Sequence, residues 1–292
     1  GLMAIQAALL PDGRRLHLHD GPIDIVLEAW GDAGEIKLAY DQAVAAFREV
    51  LPGLVAELPT LREPLGLAEP AVSGPVARRM LAACSPYRQG FITPMAAVAG
   101  AVADHVLAAL LAGRSLARAY VNDGGDIAAH LSPGERLVCG VVPDVSAAAI
   151  EGKIELTFDM PVRGIATSGA ATKGSGGRSF SMGIADAVTV LARDAAAADA
   201  AATVVGNAVD LAEHPAVVRR PASDIDPDSD LGDRQITLAV GSLEPAEIDA
   251  ALAAGLQTAE RLRENGLIHG AVLALQGRYL ICGDRSMLML AA

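Results

Sequence analysis

Aromatic residues are scarce in this chain: one Trp, four Tyr and four Phe, 3% of the 292 residues. The core therefore has to be built from Ala, Val, Leu and Ile. Ala-rich helices let backbones approach closely, because a methyl group leaves little between them. Cysteine is sparse as well. Cys84, Cys139 and Cys282 lie far apart and in no CxxC spacing, which argues against a disulfide framework and a zinc site and leaves them as small buried hydrophobes. An excess of positive charge is also missing. The net charge of -12 repels phosphate backbones and anionic bilayers, so no nucleic acid and no membrane is expected as a partner. No apolar run reaches about 18 residues without a charge, so no transmembrane helix is expected. The start of the chain lacks a basic segment followed by a clean apolar stretch, which makes the cytoplasm the expected compartment.

Hydrophobic residues at 52% and charged residues at 20% read as a globular protein, long enough for one large domain or two moderate ones. Residues 5–9 and 14–19 read as strands around Pro11-Asp12-Gly13, and Ile23 to Ala29 continues with strand-like alternation. Lys37 to Leu58 has helical periodicity, with Pro52-Gly53 as its stop signal. Residues 59–75 form an irregular, proline-rich connection, and Pro75 to Ala83 a short helix. Thr93 can cap a helix over Met95 to Ala112, since Pro94 at its first position needs no N–H partner. Strands follow at 117–121, 127–131, 136–142, 153–159 and near Gly164–Ala166. Then come a strand at Ala187–Ala192 and a helix from Ala195 to Val209. Residues 210–234 read as a long acidic loop. Strand 235–240, helix 245–264 and a hairpin at 268–274 and 278–282 close the chain. This order predicts an α+β sandwich over residues 1–292, built from two similar halves.

Three places carry chemistry. Asp199 and Thr203 stand four positions apart on an alanine helix, which puts both oxygens on one face. A carboxylate and a hydroxyl so placed can share Mg²⁺, a hard cation that keeps other positions for phosphate and water. The same pair also reads as a solvated Asp and a Thr bonded back to its own helix, and spacing alone does not separate the two. Asn122-Asp123-Gly124-Gly125-Asp126 follows a strand, and adjacent glycines allow a ligand to reach bare backbone or simply form a tight hairpin turn. Thr167-Ser168-Gly169 and Gly174-Ser175-Gly176-Gly177 offer hydroxyls and free N–H groups that can cradle phosphate, with Lys173 and Arg178 to neutralise it, or form a surface loop. Neither a P-loop nor a dinucleotide GxGxxG is present. The alternating Asp224, Asp226, Asp228 and Asp230 lack the glycine and glutamate positions of an EF-hand and read as a solvated loop.

Taken in order, four segments resemble the ApbE superfamily: Asn122 to Asp126, Gly164 to Gly169, Asp186 to Val190 and Ala198 to Thr203. These match that family's NxGGD, ATSG, SVTV and ADxxxT motifs. The chain is most similar to a shorter, uncharacterised branch, through Phe91 to Ala96 and Asp226 to Gly232. The resemblance implies a duplicated T-fold-type α+β sandwich. It implies Mg²⁺ held by Asp199, Thr203 and the Ala166 carbonyl. It implies FAD or FMN lined by Asn122, Gly124, Gly125 and Asp126, with Thr167, Ser168 and Gly169 near the phosphates. Better-known members transfer FMN from FAD to a Thr or Ser of a target protein; FAD pyrophosphate hydrolysis fits the same scheme. One departure is plain: the transferases carry a His-Ile-Ile-Asp-Pro-like segment before the SVTV strand, and Gly174 to Ala185 contains no histidine. A small phosphorylated ligand is therefore the expected partner. Open beside transfer chemistry are a non-catalytic binding or assembly protein on the same scaffold and an enzyme with a different substrate. The Ala-rich surface is compatible with a homodimer.

Overall fold

A computed structural model describes residues 4–141, 152–169 and 180–290. Its elements are β1 (Gln6–Leu9), β2 (Leu16–Asp20), β3 (Ile23–Gly31), α1 (Ala33–Leu61), α2 (Pro75–Cys84), α3 (Val98–Leu111), β4 (Leu116–Asp123) and β5 (Asp126–Leu131). They continue with β6 (Arg136–Val141), β7 (Gly152–Thr157), β8 (Gly164–Ser168), β9 (Ala187–Ala192), α4 (Ala195–Ala208), β10 (Val217–Pro221) and α5 (Ala222–Ile225). Last come β11 (Gln235–Val240), α6 (Pro245–Glu264), β12 (Gly270–Leu275), β13 (Arg278–Cys282) and β14 (Leu288–Leu290). Helices and antiparallel strands are mixed throughout, so the fold class is α+β as the sequence order implied. The chain divides into two compact units. Unit 1 comprises Gly1–Leu137, Leu156–Ala166 and Arg193–Asp199; unit 2 comprises Val138–Glu155, Thr167–Ala192 and Ala200–Ala292.

In unit 1, β1 to β5 pair antiparallel in chain order, and β8 adds beside β5 with Ile127 opposite Ile165. Alternation sends Ile23, Ile25, Leu27 and Ala29 of β3, with Ala119 and Val121 of β4, into the core. Helices α1 and α3 pack on that sheet and on each other. Asp32 starts α1 by accepting from Gly34 N at 2.8 Å. The helix does not stop at Pro52-Gly53 but runs through both Pro52 and Pro59 to Leu61. Its buried stripe of Ala39, Ala43, Phe47, Val50, Leu54 and Leu61 continues past the first proline. An interior proline costs about 3 kcal/mol, and burying two leucines returns roughly 1.5–3 kcal/mol each.

The α3 segment departs from expectation at its start. Pro94–Ala97 is a 3₁₀ turn, the α-helix begins at Val98, and Thr93 makes no side-chain cap. The cap comes from another helix, as the next subsection describes. Pro94–Leu111 is apolar enough by length and composition to cross a membrane, with mean hydropathy 1.7, but over half of it (56%) is buried inside the protein. A core helix of a globular unit has the same character.

In unit 2, β9, β12 and β13 pair antiparallel, and α6 packs on β12 and β13. β14 pairs with β7, placing Leu288 opposite Ile154. The α6 start has Pro245 at its first position and Glu247 Oε2 accepting from Glu244 N at 2.8 Å, half of a capping box. His214 Nε2 lies 2.7 Å from the other Glu247 oxygen. The 210–234 stretch is not all loop: it contains β10, paired with β11, and the short α5. Its strand escaped notice because the inward side chain at its centre is Arg219. That guanidinium reaches Met182 O at 2.6 Å, Thr237 Oγ1 at 3.1 Å and the Asp210 carboxylate, so hydrogen bonds replace apolar burial.

Helix α3 meets the start of α4 closely at Gly100. A Cβ there would sit 2.2 Å from Ala195 O, a backbone atom that cannot rotate away. Gly53, on the exposed side of α1, has nothing within 4 Å of a Cβ. Gly100→Ala is therefore expected to destabilise the protein by about 3 kcal/mol or more. Gly53→Ala is expected to stabilise it by about 0.5–1 kcal/mol. Urea unfolding midpoints of the two variants, moved in opposite directions, check the packing; equal midpoints would refute it.

Candidate functional site

The β4–β5 hairpin is closed by Gly124 and Gly125, with φ of 59° and 105°. Both angles lie in the left-handed region that side chains disfavour. Asn122 Oδ1 accepts from Gly125 N at 2.8 Å and fixes the turn. Nothing lies within 4 Å of a Cβ at either glycine, so bare backbone faces open space. Asp123 and Asp126 stand opposite each other at the ends of the two strands. Both are buried, at 7% and 4% exposure.

Asp126 and Asp199 meet side chain to side chain by a hydrogen bond. This contact favours the charged form of Asp199. Asp199 also accepts from Gly100 N at 3.0 Å and from Ala99 N. Its carboxyl lies above the usual range because burial outweighs these bonds. Asp123 is pushed up to about 8, first by burial and then by the charges of Asp199 and Asp24. Burial thus raises both Asp123 and Asp199 in unit 1, since it disfavours their charged forms.

The start of α4 explains why Asp199 sits there. Asp104 of α3 accepts from Ala195 N at 3.0 Å and Ala196 N at 2.8 Å. Asp194 accepts from Ala197 N at 2.8 Å. Three of the four N–H groups that a helix start leaves unpaired are satisfied this way. On β8, a Cβ at Gly164 would lie 2.0 Å from the Asp194 carbonyl carbon. With Gly100 on the other side, α4 is seated by backbone contact. Asp104 is raised to about 6: burial leads, the Ala196 and Ala195 bonds oppose it, and the Asp194 charge adds to it.

The other expected site residues have definite places. Ala166 is buried on β8 within unit 1. Thr203 is half-buried one turn beyond Asp199 on α4 and belongs to unit 2. Thr167, Ser168 and Gly169 also belong to unit 2. The Thr167 hydroxyl is 3.0 Å from that of Thr189, and Gly169 has φ of 126° with a would-be Cβ 2.7 Å from Asp186 O. Lys173, Gly174 to Gly177 and Arg178 lie outside the described residues. Among the described residues no three His, Cys, Asp or Glu side chains are grouped to hold a metal ion. Sequence reasoning passed over Asp104 and the inward direction of Asp123. A signal existed for the first: Asp104 and His105 are the polar residues of an otherwise apolar α3, VAGAVADHVLAALL.

A profile of the family described as AbpE bacteria matches residues 7–281. A UPF0280 protein of Methanopyrus kandleri is 34% identical over 200 residues, 68% of this chain and 75% of that protein. A UPF0280 protein of Methanothrix thermoacetophila is 38% identical over 136 residues, 46% of this chain and 52% of that protein. The match to it, and to another from Archaeoglobus fulgidus (51%), spans about half the length of each relative. Among solved structures, the ApbE protein of Thermotoga maritima is 12% identical, with TM-score 0.43 and coverage of 97% of this chain and 98% of that one. Pseudomonas stutzeri flavinyl transferase ApbE in its apo form is 14% identical, also with TM-score 0.43, over 97% and 95% of the two chains.

The Asp104 shift makes a signed prediction. Its folded value of about 6 lies above the ordinary 3.8, so the folded state holds a proton that the unfolded chain has already released. The stability this contributes is present below about pH 4 and is lost as pH rises to about 6. Asp104→Asn lacks that slope. The difference between wild-type and Asp104→Asn unfolding free energies, measured from pH 4 to pH 7, is expected to change across this window; a constant difference refutes the assignment.

Proposed function

The chain belongs to the family described as AbpE bacteria, and on that premise we propose that it binds a flavin nucleotide or related phosphorylated ligand together with Mg²⁺. FMN transfer from FAD and hydrolysis of the FAD pyrophosphate are the reactions such a site suits. The observation that carries the reading is the side-chain contact of Asp126 with Asp199, in the same unit as the open Gly124-Gly125 turn. A carboxyl group whose charge is disfavoured by burial is a donor that a hard divalent cation can take, and Asp199 therefore fits Mg²⁺. With no third acidic ligand grouped among the described residues, the remaining positions fall to neutral oxygens and to the ligand. Asp199, Thr203 and the Ala166 carbonyl would hold the ion, as the family motifs imply. When bound, Mg²⁺ supplies charge neutralisation at a pyrophosphate.

The chain's own groups do the rest. The bare Gly124-Gly125 backbone admits a ligand without a side chain in its way, and Asn122 holds the turn in that shape. Asp104 caps the start of α4, the helix that carries Asp199. The histidine-free interval from Gly174 to Ala185 favours a second reading for the chemistry: the scaffold binds its ligand without transferring flavin, or acts on a different substrate.

Thermal unfolding with FAD, with and without Mg²⁺, tests the proposal. FAD at about 100 times its Kd stabilises a protein by about 2.7 kcal/mol, on the order of 5 °C for a chain of this size. We expect that rise to require Mg²⁺ and to vanish in Asp199→Ala. Equal stabilisation with and without Mg²⁺, unchanged in Asp199→Ala, would end the metal assignment. Mg²⁺-dependent release of AMP from FAD identifies a reacting enzyme; binding without AMP release selects the second reading.

A further inference from the structure

We propose that Asp104 is a positioning residue for Asp199, acting through reciprocal caps in which α3 and α4 each supply the carboxylate that closes the other's N-terminus. Asp104, on α3, holds the N–H groups of Ala195 and Ala196 at 3.0 and 2.8 Å. Asp199, on α4, holds the N–H of Gly100 at 3.0 Å and that of Ala99. The α3 start has no side-chain cap of its own, since Ala97 occupies that position. Asp199 therefore supplies what the local sequence omits. A charged oxygen beside first-turn N–H groups is also favoured by the helix dipole, at both ends of the exchange.

The two caps are coupled because no side chain separates the helices that carry them. At Gly100 a single added carbon would meet Ala195 O at 2.2 Å and Ala196 N at 2.8 Å. Gly164 blocks α4 from the sheet side at Asp194 and Ala195. Helix α4 cannot slide away from Asp104 without carrying Asp199 off Gly100, and the reverse holds as well. A one-way cap would affect only the amides it touches. A reciprocal pair transmits the loss of one carboxylate to amides held by the other, as neighbours in one network do. The functional part of this inference, that Asp104 sets where Asp199 presents its oxygens to a cation, rests on the reading of Asp199 as a metal ligand.

Two measurements on the full chain separate these levels. The first is amide hydrogen exchange by NMR at Ala99 and Gly100, which Asp104 does not touch. The second is titration with Mn²⁺, followed by electron paramagnetic resonance. In Asp104→Ala we expect Gly100 exchange to rise about tenfold and Mn²⁺ to bind about tenfold more weakly. In Asp104→Asn, which keeps an acceptor oxygen, both changes are expected to fall to about threefold. Folded Asp104→Ala with wild-type exchange at Gly100 overturns the reciprocal cap. Faster exchange with unchanged Mn²⁺ affinity overturns the positioning role. If the wild type takes up no Mn²⁺, the ligand reading of Asp199 fails, and the exchange data still decide the cap by themselves. Should Asp104→Ala not fold, Asp104→Asn carries the test: a rise at Gly100 supports the coupling and wild-type exchange overturns it.

Discussion

The seating of α4 between Gly100 and Gly164 is the constraint on which the candidate site depends. At both glycines a single extra carbon would collide with the backbone of the helix start. Dispersion and hydrogen bonding then act at the shortest distances that packing allows. The alanines at 195–198 and 200–202 are all buried, and small side chains suit a helix packed at such short distances. A core with few aromatics is the compositional counterpart of this geometry: bulk is unnecessary where backbones nearly touch.

The negative charge of the chain has a related structural use. Many of its carboxylates face backbone N–H groups rather than basic side chains. Glu57 holds Ser73 N and Gly74 N at 2.9 and 2.7 Å, ahead of α2. Asp32 holds Gly34 N at 2.8 Å, and Asp186 holds Gln276 N at 2.6 Å. Such charge-assisted bonds are stronger than neutral ones and need no partner of opposite charge. They let the protein remain strongly acidic while its turns and helix starts are satisfied. The surface ion pairs contribute little by comparison; Lys37–Asp41, for example, lies at 3.6 Å with both side chains largely exposed.

Much of this was legible in the residues, for reasons that can be named. The α6 boundaries, Pro245 to Glu264, follow from a proline at the first helical position and unbroken periodicity. β9 is a fully buried, largely apolar run, and Gly124-Gly125 has the chemistry of a tight turn between strands. What stayed hidden was decided by partners distant in the chain. Thr93 has good local chemistry for a cap, but an aspartate more than a hundred positions away occupies that role. β10 carries an arginine where a pattern reader looks for an apolar side chain. Pro52 has the local signature of a stop, and the buried stripe beyond it overrides that signature. At the candidate site, Asp126, Asp199 and the glycine turn could be singled out from residue type, whereas the direction of Asp123 depends on strand register.

The bonds from Asp104 to Ala195 and from Asp199 to Gly100 join residues 91 and 99 positions apart. Closing loops of that length removes chain entropy before the contacts that offset it can form. Local hairpins such as β2–β3 and β4–β5 need no such closure and form on a faster timescale. The hairpins are accordingly expected ahead of the α4 start, because the bonds that seat that helix wait on partners far away in the chain.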